Sequence, residues 1–195
     1  MTIGNVDEVV EIELVNYFIK GNIALTKVDK DYPDNKLSGA VFEVYSDING
    51  DGKLDKDDTL LGEMKELDGG VYQMSELRYG KYLVKETKAP TGFVLDEDVY
   101  AVSIEENGKT YTVENKAGVG FINAAQKGSL KIVKTSCDGK VEGFSVRVTG
   151  VDYDQTFKTD ENGEIVIEGL RIGDYTVSEV SDKASAGYIL PADKQ

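Results

Sequence analysis

The sequence predicts an all-β chain, built as tandem Greek-key β-sandwiches of the immunoglobulin-like kind, and three observations carry that prediction. Short runs rich in β-branched and aromatic residues alternate apolar with polar side chains, and Gly, Asn and Asp separate them. No segment sustains a helical period. The same spaced residues also recur late in the chain: Asn16, Gly21 and Lys27 return as Asn123, Gly128 and Lys134, each 107 positions on.

Taken in order, the first alternating run passes through Ile23 and Leu25 to Lys27. Further strands are expected over residues 39–45, 71–74, 81–86, 99–104, 109–113 and 119–124. Residues 106–109 predict a hairpin turn by their Asn107-Gly108 pair, and residues 160–164 repeat the signal. The repeat divides the chain into residues 1–20, the terminal strand of a preceding unit; residues 21–126, a complete unit; and residues 127–195, a second unit lacking its final strand. Ile12, Leu14 and Asn16 reproduce the face of Val119, Phe121 and Asn123.

Composition narrows the function. A net charge of -14 with no Lys/Arg cluster argues against nucleic acid, and no run of 18 apolar residues offers a membrane span. The absence of histidine removes the usual general base and any Ser-His or Cys-His pair, so an enzyme is not expected. Cys137 is the single cysteine and has no internal disulfide partner. No secretory pattern opens the chain and no sorting signal closes it, so it reads as an excerpt of a longer protein.

Three polar residues sit where a core side chain is expected. Lys27 follows Ile23 and Leu25 on one strand face, Glu86 follows Tyr82 and Val84, and Asn123 follows Val119 and Phe121. A buried charge needs a partner or a change of protonation, and an amine, an acid and a carboxamide can supply one another. Taken alone, the pattern also fits an edge-strand lysine, a solvated glutamate and a turn asparagine.

The runs ALTKVD, YLVKETKAPTGF and GFINAA resemble the first-strand lysine, the glutamate-box strand and the last-strand asparagine of CnaB-type domains. These are the SpaA-like, transthyretin-like sandwiches of Gram-positive pilins and surface adhesins. The resemblance covers residues 21–126 well and 128–195 in part. It implies a spontaneous isopeptide bond between Lys27 and Asn123 promoted by Glu86, in a stalk module of an extracellular, wall-associated protein whose neighbours are other repeats. The Tyr32-Pro33 pair has no adjacent lysine, so the pilin polymerisation motif is not recognisable.

The second unit has Lys134 and Glu179 at matching places, but a closing asparagine would fall beyond residue 195. Ala184-Ser185-Ala186-Gly187-Tyr188 also departs from the expected Ala-Pro-x-Gly-Tyr. A spare strand at one end and a missing strand at the other raise head-to-tail self-association, with Asn16 of one copy meeting Lys134 and Glu179 of another.

Residues 47–58 carry the spacing of a 12-residue calcium loop. Asp47, Asn49 and Asp51 hold positions 1, 3 and 5, Gly52 the turn, Lys53 the carbonyl at 7, and Asp55 and Asp58 positions 9 and 12. Strands, not helices, are expected on either side. The second unit lacks this insert, and a structural Ca2+ is the expected cofactor. A rival reading is a calcium-dependent module binding a glycan or a host protein, although the chain has no tryptophan.

Overall fold

A computed structural model describes residues 9 and 11–192, and within them every regular element is a strand. Four strands of the first unit form one sheet in the order β4 (Lys65–Asp68), β5 (Val71–Arg78), β1 (Lys20–Asp29) and β8 (Thr110–Thr112). A fifth, β9 (Phe121–Asn123), pairs with the far end of β1. The second sheet runs β3 (Thr59–Glu63), β2 (Val41–Ser46), β6 (Gly80–Lys88) and β7 (Val99–Ile104). Ile23 and Leu25 of β1, Phe42 of β2, Val84 of β6 and Phe121 of β9 meet in one core, so the two sheets form a sandwich.

β1 organises this unit. One edge pairs antiparallel with β5; the other takes β8 and then β9, both parallel to it. The first and last strands are therefore parallel neighbours. Burial alternates along β1 as far as Lys27, as the period of a strand requires. Val28 and Asp29 then break the alternation by being buried as well, and they do so where β9 lies alongside. The strand thus runs two residues beyond the expected end.

The second unit repeats the plan with fewer strands. β10 (Lys127–Val133) pairs with β13 (Glu164–Arg171), while β12 (Tyr153–Lys158), β11 (Ser145–Gly150) and β14 (Tyr175–Val180) form the other sheet. Even the irregularity recurs: β1 slips register against β5 between Gly21 and Ile23, and β10 against β13 between Gly128 and Leu130. Among the described residues, the other edge of β10 carries no strand.

The two Asn-Gly signals do not make hairpins. Residues 106–109 lead from β7 to β8, which lie in different sheets, and residues 160–164 lead likewise from β12 to β13. A two-residue type I′ hairpin needs positive φ at both central residues, whereas in these turns Gly108 and Gly163 have it and the preceding asparagines do not. The first turn is instead tied to β1: Gly108 N donates to Lys20 O (2.7 Å), and Lys20 N to Asn107 Oδ1 (3.1 Å). β3 and β4 are not among the expected strands, being short, largely exposed and irregular in register. Val119 lies in the turn before β9 and is partly exposed, so it does not share the core face of Phe121. Of residues 1–20, positions 9 and 11–19 form no strand in this chain, Lys20 opens β1, and the rest lie outside the described residues.

The units meet through an ion pair. Arg171 donates to both carboxylate oxygens of Asp29, at 2.6 and 3.1 Å, and to Asp31 at 3.1 Å, while its guanidinium stacks on Tyr32. No helix of the described residues is long and apolar enough to cross a membrane.

Candidate functional site

Three fully or nearly fully buried polar side chains converge inside the first sandwich: Lys27 (0% exposed), Glu86 (0%) and Asn123 (3%). Each is brought there by its strand. Lys27 is an inward position of β1, Glu86 of β6 and Asn123 the last residue of β9. Glu86 bridges the other two. Its Oε1 lies 3.8 Å from Lys27 Nζ, and Asn123 Nδ2 donates to both carboxylate oxygens at 2.9 Å. Lys27 Nζ also donates to Phe121 O (3.0 Å) and sits 5.2 Å from the centre of that ring. Phe121 packs edge-on against Phe42 and Tyr100, so aromatic carbon surrounds the amine and excludes water.

Burial governs the protonation of the pair. It pulls the Lys27 amine down to about 8, against a partial counter-pull from the Glu86, Asp96 and Asp29 carboxylates. Burial likewise pushes Glu86 up, opposed by hydrogen bonds from the Asp96 amide and Asn123 and by the charge of Lys27. Both shifts favour the uncharged forms. Asn123 Oδ1 is buried with no hydrogen-bond partner. A half-turn of the carboxamide would exchange Oδ1 with Nδ2 and present the oxygen to a protonated Glu86, which can donate where the ionised form cannot.

Residues without any signal in the strand pattern hold this arrangement in place. Asp96 N donates to Glu86 Oε2 (2.9 Å), and its carboxylate accepts from Tyr100 (2.9 Å) and Asn115 (2.6 Å). Asn115 in turn clamps β9 by bonding both the N–H and the C=O of Ile122, at 2.6 and 2.8 Å. Gly120 has φ of 130°, and a Cβ there would lie 2.8 Å from Thr26 O; glycine is what allows β9 to close on β1. Beyond Asn123, the Ala-Pro-x-Gly turn fastens the exit: Gln126 N donates to Gly92 O (2.8 Å) and Val94 N to Ala124 O (2.9 Å).

The second unit brings together two of its expected residues. Lys134 Nζ is 3.1 Å from Glu179 Oε2, with side chains 16% and 5% exposed, and lies 4.6 Å from the Phe144 ring centre. Glu179 Oε1 is buried without a partner. Asn16 is exposed and joins neither group in this chain.

The acidic loop follows its expected spacing, yet its oxygens face its own backbone. Asp47 accepts from the amides of Gly50 (2.7 Å) and Gly52 (3.1 Å), and Asn49 from that of Asp51 (2.9 Å). Asp51 accepts from Lys53 N (2.9 Å), and Asp58 from Ile48 N (3.1 Å) and Asp55 N (2.9 Å). Asp55 accepts from the Asn49 side chain at 3.2 Å. Among the described residues, no three acidic side chains gather around one point.

A prealbumin-like sandwich whose first and last strands flank a buried lysine, glutamate and asparagine defines the class of protein. The family described as the SpaA prealbumin-like fold domain matches residues 21–117 and 128–195, and the chain belongs to that family. Of solved structures, the Bacillus anthracis TIE protein is similar at 28% identity and a TM-score of 0.66, over 90% of this chain and 30% of that one. The chain thus spans under a third of the length of that relative. The shaft pilin SpaA of Lactobacillus rhamnosus GG is similar at 14% identity (TM-score 0.43), over 90% of this chain and 93% of the pilin. A streptococcal ancillary pilin is similar at 18% (TM-score 0.39), over 90% and 58%. No curated protein matches.

Proposed function

We propose that the chain is a load-bearing stalk segment of a bacterial cell-surface adhesin or pilin-like protein, and that its first unit welds itself shut with an isopeptide bond from Lys27 to Asn123. The observation that supports this is the fully buried carboxylate of Glu86 beside both the amine and the carboxamide. Neutral Lys27 Nζ attacks Asn123 Cγ; the new C–N bond forms, the Cγ–Nδ2 bond breaks and ammonia leaves. Glu86 as the acid polarises the carbonyl, takes the proton lost by the amine and delivers one to the departing nitrogen, so it ends as it began. Holding the groups in contact supplies an advantage of roughly 7–11 kcal/mol over reaction in solution. Each molecule reacts once, which is self-processing and not turnover of a substrate.

The geometry gives the bond a mechanical use. Parallel β1 and β9, pulled from the start of one and the end of the other, are loaded in shear, and a bond from Lys27 to Asn123 carries the tension past everything between them. An extracellular chain with one cysteine has no disulfide of its own to do this. The partners implied are neighbouring repeats of the same surface protein. Residues 47–58 are read as a structural Ca2+ loop: Asp47, Asn49, Asp51 and Asp58 now accept from backbone amides of the loop and Asp55 from the Asn49 side chain, and a bound cation would draw these side chains from those bonds to gather its oxygen set. Intact mass tests the main reading. One ammonia is missing from the wild-type chain and is restored by Lys27→Ala; a full-mass wild type would refute it.

A further inference from the structure

The strand that presents Asn123 has a single partner. β9 is three residues long and pairs with the end of β1, and among the described residues no strand lies along its other edge. Asn123 O turns toward β1, where it accepts from Lys30 N at 3.0 Å. Ile122, one residue earlier, therefore turns its N–H and C=O the other way. With nothing on that side, so short a strand would be free to fray.

Asn115 fills the open edge with a side chain. Ile122 N donates to its Oδ1 at 2.6 Å and its Nδ2 donates to Ile122 O at 2.8 Å, so one carboxamide offers the donor and acceptor that a neighbouring strand would supply. Reversing the amide would set one N–H against another, which leaves the side chain one orientation. Nδ2 also donates to Asp96 Oδ2 at 2.6 Å, an oxygen that accepts from the Tyr100 hydroxyl at 2.9 Å as well. The Asp96 amide then donates to Glu86 Oε2 at 2.9 Å. A continuous run of hydrogen bonds thus leads from the residue beside Asn123, through Asn115 and Asp96, to the acid that Asn123 must meet.

We infer that Asn115 is a positioning residue for isopeptide formation: through Ile122 and Asp96 it fixes the Asn123 carboxamide against Glu86, and so sets the rate at which the first unit closes its bond. The inference rests on the reaction proposed for Lys27, Glu86 and Asn123. Asn115 takes no part in any bond made or broken there. It acts on geometry, where a misplacement of about 1 Å can cost on the order of 10²-fold in rate. A strand tethered along one edge samples such displacements, and one held along both edges does not.

The test times ammonia loss from synthesis. The full chain is made by cell-free translation, chased, quenched in acid at intervals and its intact mass measured. Asn115→Ala should still lose its ammonia, but about 10²-fold more slowly than the wild type. In a chain that also carries Lys27→Ala and cannot form the bond, Asn115→Ala should keep the near-ultraviolet circular dichroism of Lys27→Ala alone, which separates slow chemistry from failed folding. Asp96→Ala carries the test whether or not Asn115→Ala folds. It removes the far anchor of Asn115 and keeps the backbone amide that reaches Glu86, so it should slow the reaction roughly five- to tenfold, the worth of one hydrogen bond. Asp96→Asn, whose side-chain oxygen still accepts from Asn115, should restore the rate to within about threefold of the wild type. A folded Asn115→Ala that keeps pace with the wild type would overturn the inference and leave the bond chemistry standing, as would an Asp96→Asn no faster than Asp96→Ala. A wild type that never loses ammonia would overturn the reaction itself, and this inference with it.

Discussion

Glu86→Gln keeps the shape of the buried side chain and removes its ability to move a proton. Without the bond, the unfolded chain regains the freedom that a link between residues 27 and 123 removes. Closing a loop of about 100 residues contributes about 4.7 kcal/mol in the chain-entropy treatment. Each kcal/mol shifts the midpoint of a domain of this size by roughly 4–8 °C, so the variant should melt on the order of 20–35 °C lower. Intact mass and calorimetry on the same samples separate chemistry from stability: wild type one ammonia light and high-melting, Glu86→Gln at full mass and low-melting. A Gln variant that still loses ammonia would refute the proton-shuttle role of Glu86. A variant at full mass with an unchanged midpoint would refute the claim that the bond carries the stability of the unit.

Other consequences follow from the same contacts. In Asn123→Ala, which cannot bond, the folded Lys27 amine titrates near 8 and the unfolded one near 10.5, so the unfolded state binds more protons between those values and stability should rise with pH there. Glu86 has the opposite sign: its folded carboxyl is raised, so stability should fall as pH climbs from the ordinary carboxylate range through that raised value. Urea denaturation across pH should therefore show a minimum between the two limbs, and a flat profile would contradict the burial of the two groups away from water. Titration of calcium into metal-free protein should give a saturable heat that Asp47→Ala abolishes, whereas no heat at millimolar calcium would remove the loop from the cofactor reading. Arg171→Ala strands Asp29, whose side chain is 3% exposed, and should cost about 3 kcal/mol while broadening the inter-unit arrangement seen by small-angle scattering. A cost under about 1 kcal/mol would class the pair with exposed ones.

Alternation alone located the strands that carry the site. Ile23, Leu25 and Lys27 lie on one buried face, as do Tyr82, Val84 and Glu86, because a half-buried strand leaves a period-two trace in its sequence. The sheet to which a strand belongs leaves no such trace. That is why the Asn-Gly turns read as hairpins when they cross between sheets. Asp96 and Asn115 were illegible for a related reason: they act from loops, through a backbone amide and a clamp on Ile122, and no periodic pattern marks such positions. The inter-unit pair of Arg171 and Asp29 joins residues 142 apart in the chain, which no local window connects. The repeat was readable throughout, because a unit copied 107 residues on carries its glycine bulge and its lysine with it.

The most direct measurement is the covalent map of the native chain. Protease digestion followed by fragment mass spectrometry should recover a branched peptide in which the Lys27 side-chain nitrogen is joined to the Asn123 side-chain carbonyl. Recovery of the two as separate, unmodified linear peptides would contradict the weld between the first and last strands.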